Sequence, residues 1–318
     1  MITSYFFVKI KLVKKVKKFI LPLILCILLV FVGWFIDPIT NKIASALDKK
    51  PNIVVKSKNS YYRDYDFEFV QNTTNFVPYS YQELLNIIYT MLNSGWEEFT
   101  FYCPDEYSDC LNDVESISQD NVLLTHINNF VHPYNNFENI KTSYYESGEV
   151  TIKLEKLYSK NDIVKLNSKI DEIIKKNITD NMTDEEKIKT IHDYIINNTK
   201  YDQERNEKNT SPYHSNTAIG PLFEGYAICS GYADAMELFL EKFNIKSFKV
   251  ASSMHIWNSV YINNTWKQLD LTWDDPLTST NEDYLYYKYF LIDANDLTKL
   301  DTETNQHVYD KTIYLELK

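Results

Sequence analysis

The chain has 318 residues, and its 44 acidic side chains outnumber its 33 basic ones, which gives a net charge of -11. This length is enough for about two domains, and the acidic balance disfavours a nucleic-acid partner, because binding to phosphates needs a positive surface. With only 6 glycines in the sequence, a glycine-rich phosphate loop or a dinucleotide fingerprint is not expected.

The N-terminal segment combines a basic arm with an apolar run. Residues 1–18 contain six lysines and no acidic residue, and residues 19–36 contain no charged residue. Eighteen helical residues span about 27 Å, which is close to the hydrocarbon thickness of a bilayer. The sequence therefore predicts a single-pass transmembrane anchor over 19–36, with the arm in the cytoplasm and the rest of the chain extracellular.

A cleaved signal peptide is the alternative interpretation, because Ala44-Ser45-Ala46 is typical of a cleavage site. The apolar run is longer than the usual hydrophobic region of a signal peptide, and about ten residues separate it from that site, which favours the anchor. Cleavage would leave the body of the protein secreted. Residues 37–60 are rich in Lys, Asn and Ser and are predicted to be a linker.

Residues 61–158 predict a small α/β domain without a cluster of side chains suited to catalysis. Alternating runs indicate strands, and apolar residues at helical spacing indicate helices. The predicted elements are a strand at 65–70, a helix at 80–93, a strand at 97–102, a helix at 114–131, and a hairpin of 139–146 with 149–157. His126 and His132 are interpreted as ordinary helix or loop residues.

The cysteines outside the apolar run differ in their surroundings. Cys103 and Cys110 flank a short polar segment, and the sequence leaves open whether they form a disulfide or remain free thiols. In either case Cys229 has no partner. An unpaired cysteine in an exported protein is a candidate reactive thiol.

Residues 159–318 predict a second domain that begins with two helices. The first covers 162–178, and the second starts at Thr183, whose hydroxyl is predicted to form a capping box with Glu186. The polar stretch 204–218 shows no periodicity and is predicted to be a loop.

Cys229 stands at the start of a predicted helix that continues to about Phe243. The partial positive charge of a helix N-terminus favours the ionised, nucleophilic form of a thiol. The next residues, Ser230 and Gly231, are small enough to let a substrate approach. Backbone N–H groups at such a position can stabilise an oxyanion.

A hairpin follows, with Asn263-Asn264 as its two-residue turn. This turn length would pair Trp257 with Asp270 and place His255 and Asp270 on one face as diagonal neighbours, about 7–8 Å apart at Cα. A slip of one residue would separate them, so the inference depends on the register.

Together these residues predict a nucleophilic site. Cys229 would attack a carbonyl to form a thioester, His255 would transfer the proton, and Asp270 would hold the imidazole. Each residue alone also fits a structural role, as a buried thiol, a strand-end histidine and a turn-capping acid. Their joint placement favours catalysis.

Three motifs resemble the transglutaminase-like superfamily. They are the G-x-x-x-C-x-G-Y-A pattern at 225–233, His-Ile-Trp-Asn at 255–258, and Asp-Leu-Thr-Trp-Asp-Asp-Pro at 270–276. The resemblance implies an α+β, papain-like core with a Cys helix packed on an antiparallel sheet, and it maps Cys229, His255 and Asp270 onto the family triad. Ile219 stands where relatives often have tyrosine, so another group would have to assist the oxyanion.

Acidic residues after the hairpin do not form an ordered calcium loop, and no zinc-binding spacing occurs, so no metal or cofactor is predicted. These acids are interpreted as solvated turn residues: Asp274, Asp275, Asp283, Asp293 and Asp296. The sequence and the resemblance together predict an extracellular, membrane-anchored cysteine acyltransferase or peptidase acting on protein or peptide substrates, including cell-wall amides. The alternative is a non-catalytic binding or scaffolding module of the same fold, and the oligomeric state stays open.

Overall fold

The computed structural model describes residues 53–208, 210–275, 285–300 and 305–318. The predicted basic arm, the transmembrane anchor at 19–36 and most of the predicted linker lie outside the described residues. Within the described ranges, no helix combines the length and the apolar character needed to cross a membrane.

The first part of the chain folds into three helices and a three-stranded antiparallel sheet of order β1-β3-β2. The elements are α1 (Tyr81–Asn93), β1 (Glu98–Tyr102), α2 (Cys110–Gln119), α3 (Asn121–Asn128), β2 (Phe137–Tyr144) and β3 (Glu149–Lys156). The predicted hairpin corresponds to β2 and β3. Cys103 and Cys110 form a disulfide that ties the end of β1 to the start of α2.

Two predicted elements in this part are wrong. Residues 65–70 do not form a strand, because the N–H of Phe67 donates to the carbonyl of Val70 and closes a local turn, although both side chains are buried. The single predicted helix at 114–131 is two helices, α2 and α3. They meet at Asp120, whose side chain accepts the N–H of Leu123 and caps α3.

The second part packs helices against another antiparallel sheet, of order β6-β7-β8. Its elements are α4 (Lys160–Asn177), α5 (Asp184–Asn197), β4 (Lys200–Tyr201), α6 (Gln203–Lys208), β5 (Tyr226–Ala227), α7 (Cys229–Lys242), β6 (Ser247–Ala251), β7 (Ile256–Ile262), β8 (Thr265–Leu269), α8 (Leu271–Asp274) and α9 (Ala294–Leu300). The short strands β4 and β5 pair in parallel. Helices combined with antiparallel sheets agree with the predicted α+β class.

The sequence predicts a loop at 204–218. This prediction is wrong for the first residues of that range, because they belong to α6 (Gln203–Lys208). Asp202 accepts the N–H of Arg205 at 3.1 Å and so caps the first turn of this helix. The capping box predicted for Thr183 and Glu186 is present at the start of α5.

Aromatic side chains from both parts of the chain share one buried cluster. The ring of Phe248 on β6 lies 5.4 Å from that of Phe67 and 5.2 Å from that of Phe130. Tyr314, near the C-terminus, packs into the same cluster and is fully buried. Residues from the two predicted domains therefore contribute to a common core.

Helix α7 is buried along most of its length, including two acidic side chains. Asp234 pairs with Lys249 of β6 at 2.6 Å, and Glu237 pairs with Arg63 at 2.6 Å. A buried carboxylate without a partner would carry a large desolvation cost, so these pairs are required where they occur. They fix the helix that carries Cys229 to the sheet on one side and to the segment around Arg63 on the other.

Candidate active site

Cys229 is the first residue of α7, and its side chain is half-buried and not in a disulfide. Ile228 precedes the helix in an extended conformation, and no side chain caps it. The helix start therefore has no capping group that competes for its first N–H groups. N–H groups at such a helix start can stabilise an oxyanion that forms next to them.

A loop crosses the first turn of α7 at close range. The N–H of Ile228 donates to the carbonyl of Ser215 at 2.8 Å, and the hydroxyl of Ser230 donates to the carbonyl of Asn216 at 3.1 Å. A Cβ atom at Gly231 would lie 2.2 Å from the Ser215 carbonyl oxygen, so only glycine fits there. The loop and the helix start thus hold each other in place.

The predicted hairpin register is confirmed, with Ile262 opposite Thr265. Asn263 and Asn264 adopt φ values of 52° and 61°, as the predicted turn requires. The paired part of β7 and β8 is shorter than predicted, because β8 ends at Leu269 and the side chain of Asp270 caps α8. The predicted pairs of Trp257 with Asp270 and of His255 with Thr272 are therefore absent from the ladder.

The side chains of His255 and Asp270 nevertheless meet. Nε2 of His255 lies 2.5 Å from Oδ2 of Asp270, and both side chains are buried. The backbone N–H of His255 donates to the hydroxyl of Ser252 at 3.0 Å, and the imidazole stacks on Trp257 with 5.7 Å between ring centroids. These contacts fix the orientation of the imidazole just before β7.

The electrostatics link the three predicted site residues. Burial alone would lower the pKa of His255, but the charge of Asp270 and hydrogen bonds with Asp270 and Cys229 outweigh burial and raise this pKa to about 10. Burial would raise the pKa of Asp270, but His255, followed by His307, holds it below its ordinary value. At neutral pH the imidazole of His255 is therefore protonated and paired with the Asp270 carboxylate.

A second histidine on Asp270 was not predicted from the sequence. Nε2 of His307 lies 2.8 Å from the same Oδ2 atom of Asp270, and the ring is buried between Trp257 and Tyr289. Nothing in the sequence around His307 matches a motif, so only its residue type could have drawn attention to it.

The side chains of His255, Asp270 and His307 also form a cluster of potential metal ligands within the described part of the chain. The separations of 2.5 Å and 2.8 Å from Oδ2 of Asp270 to His255 and His307 are those of hydrogen bonds. Two ligand atoms on one tetrahedral zinc ion, each about 2.0–2.1 Å from the metal, would lie about 3.4 Å apart. The geometry fits a hydrogen-bonded chain better than a metal site.

The interpretation of Asp274 as a solvated turn residue is wrong. Asp274 is buried, its Oδ2 lies 3.2 Å from Nε2 of His192, and its Oδ1 accepts the N–H of Tyr289 at 2.9 Å. Asp275 accepts a hydrogen bond from the hydroxyl of Tyr232. Both acids therefore fasten the segment after Asp270 to neighbouring helices.

Asp293 and Asp296 pair with lysines on the surface, whereas Asp283 lies outside the described residues.

Tyr201 is a further neighbour of the site. Burial, followed by the negative charge of Cys229, raises the pKa of Tyr201 to about 12, so its hydroxyl is protonated at neutral pH. Ile219, which stands where relatives often have tyrosine, is half-buried, packs on an apolar cluster that includes Leu222 and Ala227, and offers no hydroxyl. Tyr201 is thus a protonated phenol whose pKa responds to the charge of Cys229.

Comparison with known proteins identifies the central part of the chain. Residues 172–271 match the model of the transglutaminase-like superfamily. The chain contains a transglutaminase-like domain. The match includes Cys229, His255 and Asp270, whereas His307 lies outside it.

Part of the chain is also similar to solved structures at low identity. A crystal structure of a TGase aligns over 43% of this chain and 45% of that chain, with 15% identity and a TM-score of 0.33. A candidate cysteine protease from Cytophaga hutchinsonii aligns over 46% of this chain and 65% of that chain, with 15% identity and a TM-score of 0.27. Both alignments span less than two thirds of the neighbour, so the assignment rests on the family match. No curated protein matches the chain.

Proposed function

We propose that the transglutaminase-like domain is a cysteine enzyme that performs acyl transfer or amide hydrolysis on protein or peptide substrates. The observation that carries the proposal is the pairing of His255 with Asp270, with 2.5 Å between Nε2 and Oδ2. Cys229, at the start of α7, is near enough to this pair to raise the pKa of His255. Nucleophile, proton carrier and orienting carboxylate are the three parts that covalent acyl chemistry needs.

The proposed reaction starts when the Cys229 thiolate attacks the carbonyl carbon of an amide. The carbonyl oxygen becomes an oxyanion, which in this proposal is stabilised by the N–H groups at the start of α7 and by the hydroxyl of Tyr201. His255 gives its proton to the leaving nitrogen as the carbon–nitrogen bond breaks, leaving a thioester. An amine or a water molecule then attacks the thioester, gives a proton to His255, and releases the new amide or the acid while the thiolate re-forms.

The test of catalysis is the reaction of Cys229 with iodoacetamide at neutral pH, followed by mass spectrometry. We expect labelling well above the rate of a free thiol such as glutathione, and a large loss of rate in His255→Ala. A rate equal to that of glutathione and unchanged in His255→Ala would instead support a non-catalytic module. A glutamine-containing peptide offered with a primary amine, with ammonia and amine incorporation measured in parallel, separates transfer from hydrolysis.

We also propose that the enzyme is anchored by residues 19–36 with its catalytic part outside the cytoplasm. The uncharged run after the lysines and the disulfide between Cys103 and Cys110 support this location, because disulfides persist mainly in oxidising compartments. Protease added to intact cells should degrade the part after residue 53, and detergent should be needed to release the uncleaved chain. A released form with a new N-terminus after Ala46 would point to the cleaved signal peptide.

A further inference from the structure

A second buried histidine–carboxylate pair lies at the end of α8. Nε2 of His192 on α5 is 3.2 Å from Oδ2 of Asp274, and neither side chain has exposed surface. Asp270 caps the start of the same helix and faces His255. The short helix α8 therefore has a buried carboxylate at each end, and each carboxylate faces a histidine of another element.

The imidazole of His192 also has a carboxylate at its other nitrogen. Nδ1 is 3.0 Å from Oδ1 of Asp193, whose Oδ2 accepts hydrogen bonds from Lys189 and Tyr287. Burial alone would lower the pKa of His192, but hydrogen bonds with Asp193 and Asp274 outweigh burial and raise this pKa. A protonated imidazole donates from both nitrogens, so one ring can hold Asp274 while Asp193 holds the ring.

Asp274 is connected to Asp270 by a closed set of hydrogen bonds. Oδ1 of Asp274 accepts the N–H of Tyr289 at 2.9 Å, and the carbonyl of Tyr289 accepts the N–H of Asp270 at 3.1 Å. The N–H of Asp274 donates to the carbonyl of Asp270 at 3.2 Å and closes the set. The ring of Tyr289 stacks on His307, with 5.3 Å between ring centroids. Asp274 thus supports both the backbone of Asp270 and its second histidine partner.

This support depends on a donor for the buried Asp274 carboxylate. An ionised carboxylate without a donor is costly in the interior, so it takes up a proton or moves towards water. Either change weakens the hydrogen bond that Asp274 accepts from Tyr289. Within the described ranges, His192 is the one side chain that donates to Asp274.

We propose that His192 is a positioning residue for the reaction of Cys229. Through Asp274 it fixes the backbone of Asp270 and so keeps the Asp270 carboxylate aligned with His255. His192 is not a catalytic residue, because it acts on the reacting groups only through Asp274. The inference rests on the proposed function and deepens it.

The experiment follows the protonation of His255 by NMR on the purified full chain with ¹³C-labelled histidine. The chain has 6 histidines, and the signal of His255 is the one that His255→Gln removes. In the wild type we expect a titration midpoint near pH 10. His192→Phe should lower this midpoint by about one unit, at the low end of the shifts that a nearby opposite charge produces. Labelling of Cys229 by iodoacetamide should slow by up to about tenfold, the factor that one pKa unit represents.

The direction of the shift separates positioning from charge. Loss of the positive charge of His192 would by itself raise the pKa of His255, because a nearby cation disfavours a second one. A lower midpoint therefore reports that the Asp270 carboxylate has moved away from His255. A general loss of stability would change the unfolding curve but would not move the midpoint of the folded protein.

Further variants complete the test. His192→Gln keeps an N–H donor for Asp274 without the charge and should restore most of the midpoint and of the labelling rate. Asp193→Asn, the matched control, keeps an acceptor for the other ring nitrogen and should leave both unchanged. If His192→Phe does not fold, His192→Leu removes the same donors with a smaller side chain and should lower the midpoint equally.

The outcomes separate this inference from the proposed function. An unchanged or raised midpoint of His255 in His192→Phe would overturn the positioning role and leave catalysis standing. Slow labelling of the wild type that does not depend on His255 would overturn the proposed function, and with it any role of His192 in the reaction, even if the midpoint falls.

Discussion

Asp270 uses its two carboxylate oxygens for different purposes. Oδ1 accepts the N–H groups of Thr272 and Trp273 at 2.9 Å and 3.2 Å and starts α8, while Oδ2 faces His255 and His307. The helix cap thus fixes the rotation of the carboxylate about its own axis. The oxygen that faces the histidines is held in place by the backbone rather than by packing alone.

The raised pKa of His255 makes stability depend on pH in a defined direction. The protonated ring is favoured in the folded protein, so its contribution is full below the ordinary histidine pKa of about 6.5. It is lost as pH rises through the folded value of about 10. We expect the free energy of unfolding of the wild type, measured with urea relative to His255→Gln, to decline over this interval.

The comparison with His255→Gln removes the contributions of other titrating groups, since those groups are common to both proteins. Asp270 affects stability only at acid pH, because its lowered pKa adds stability that is lost when the carboxylate is protonated. A constant difference between the two proteins from pH 6 to pH 10.5 would contradict the assigned charge state.

His307 provides the second residue-scale prediction. In His307→Phe the buried Asp270 oxygen loses one donor, and a hydrogen bond to a charged group is worth about 1.5–3 kcal/mol. His307→Gln places an N–H close to the position of Nε2. We expect His307→Phe to lower both the free energy of unfolding and the rate of Cys229 labelling, with His307→Gln recovering most of each.

Equal labelling rates in His307→Phe and the wild type would show that His307 only fills space between Trp257 and Tyr289. The pH dependence of labelling distinguishes the roles further. A positioning role through Asp270 changes the alkaline limb of the profile, whereas a general disturbance of the site by the larger Phe ring lowers the rate by the same factor at all pH values.

At the scale of elements, the start of α7 depends on a glycine. Alanine is about 1 kcal/mol more favourable than glycine inside a helix, so Gly231→Ala would stabilise an isolated helix. Here the added methyl group meets the Ser215 carbonyl at 2.2 Å, and such overpacking costs about 1–3 kcal/mol. We expect the clash with Ser215 to outweigh the helix preference for alanine. Gly231→Ala should therefore have a lower free energy of unfolding and slower Cys229 labelling.

Gly231→Ser, with a larger side chain, should be worse than Gly231→Ala on both measurements. A stabilised Gly231→Ala with normal labelling would mean that the 215–217 loop moves aside without cost, and that its contacts do not fix the helix start.

The elements that local signals specify were predicted well, and those that depend on distant partners were not. The Asn263-Asn264 turn sets the β7–β8 register by itself. By contrast, Asp274 is buried because His192, 82 residues earlier in the chain, lies beside it. Patterns of polarity along a segment carry no information about such a partner.

The break between α2 and α3 is an intermediate case. Asp120 is a residue type that favours helix N-caps, so the signal was present in the sequence. Apolar spacing on both sides of it suggested one continuous helix instead. The triad motifs lie in sequence stretches with strong local signals, and His307 does not, which explains why one histidine of this site was found and the other was missed.

At the scale of the whole molecule, Arg63 joins the segment before α1 to the helix of the proposed nucleophile. It pairs with Glu237 and Glu241, each at 2.6 Å, and is buried. Breaking a buried ion pair by removing one partner costs about 3–5 kcal/mol, because the other charge is left unpaired. We expect Arg63→Met to lower the free energy of unfolding by this amount, as measured with urea.

The double variant Arg63→Met with Glu237→Gln tests the physical reason. It removes the charge of Glu237, the more deeply buried of the two acids that lose Arg63, and should restore a substantial part of the lost stability. No recovery in the double variant would show that Arg63 acts through its other contacts, including the carbonyl of Phe130 at 3.2 Å.

The position of Tyr314 has a practical consequence for anyone who expresses a shortened version of this protein. Its hydroxyl accepts the N–H of Ala251 and the amide of Asn129, and its ring packs beside Phe248. A fragment trimmed to 172–271 would strip three aromatic neighbours from Phe248 and expose one side of β6 to solvent. A fragment limited to the family match at 172–271 is therefore expected to be insoluble. A fragment with boundaries near 53 and 318 is expected to fold.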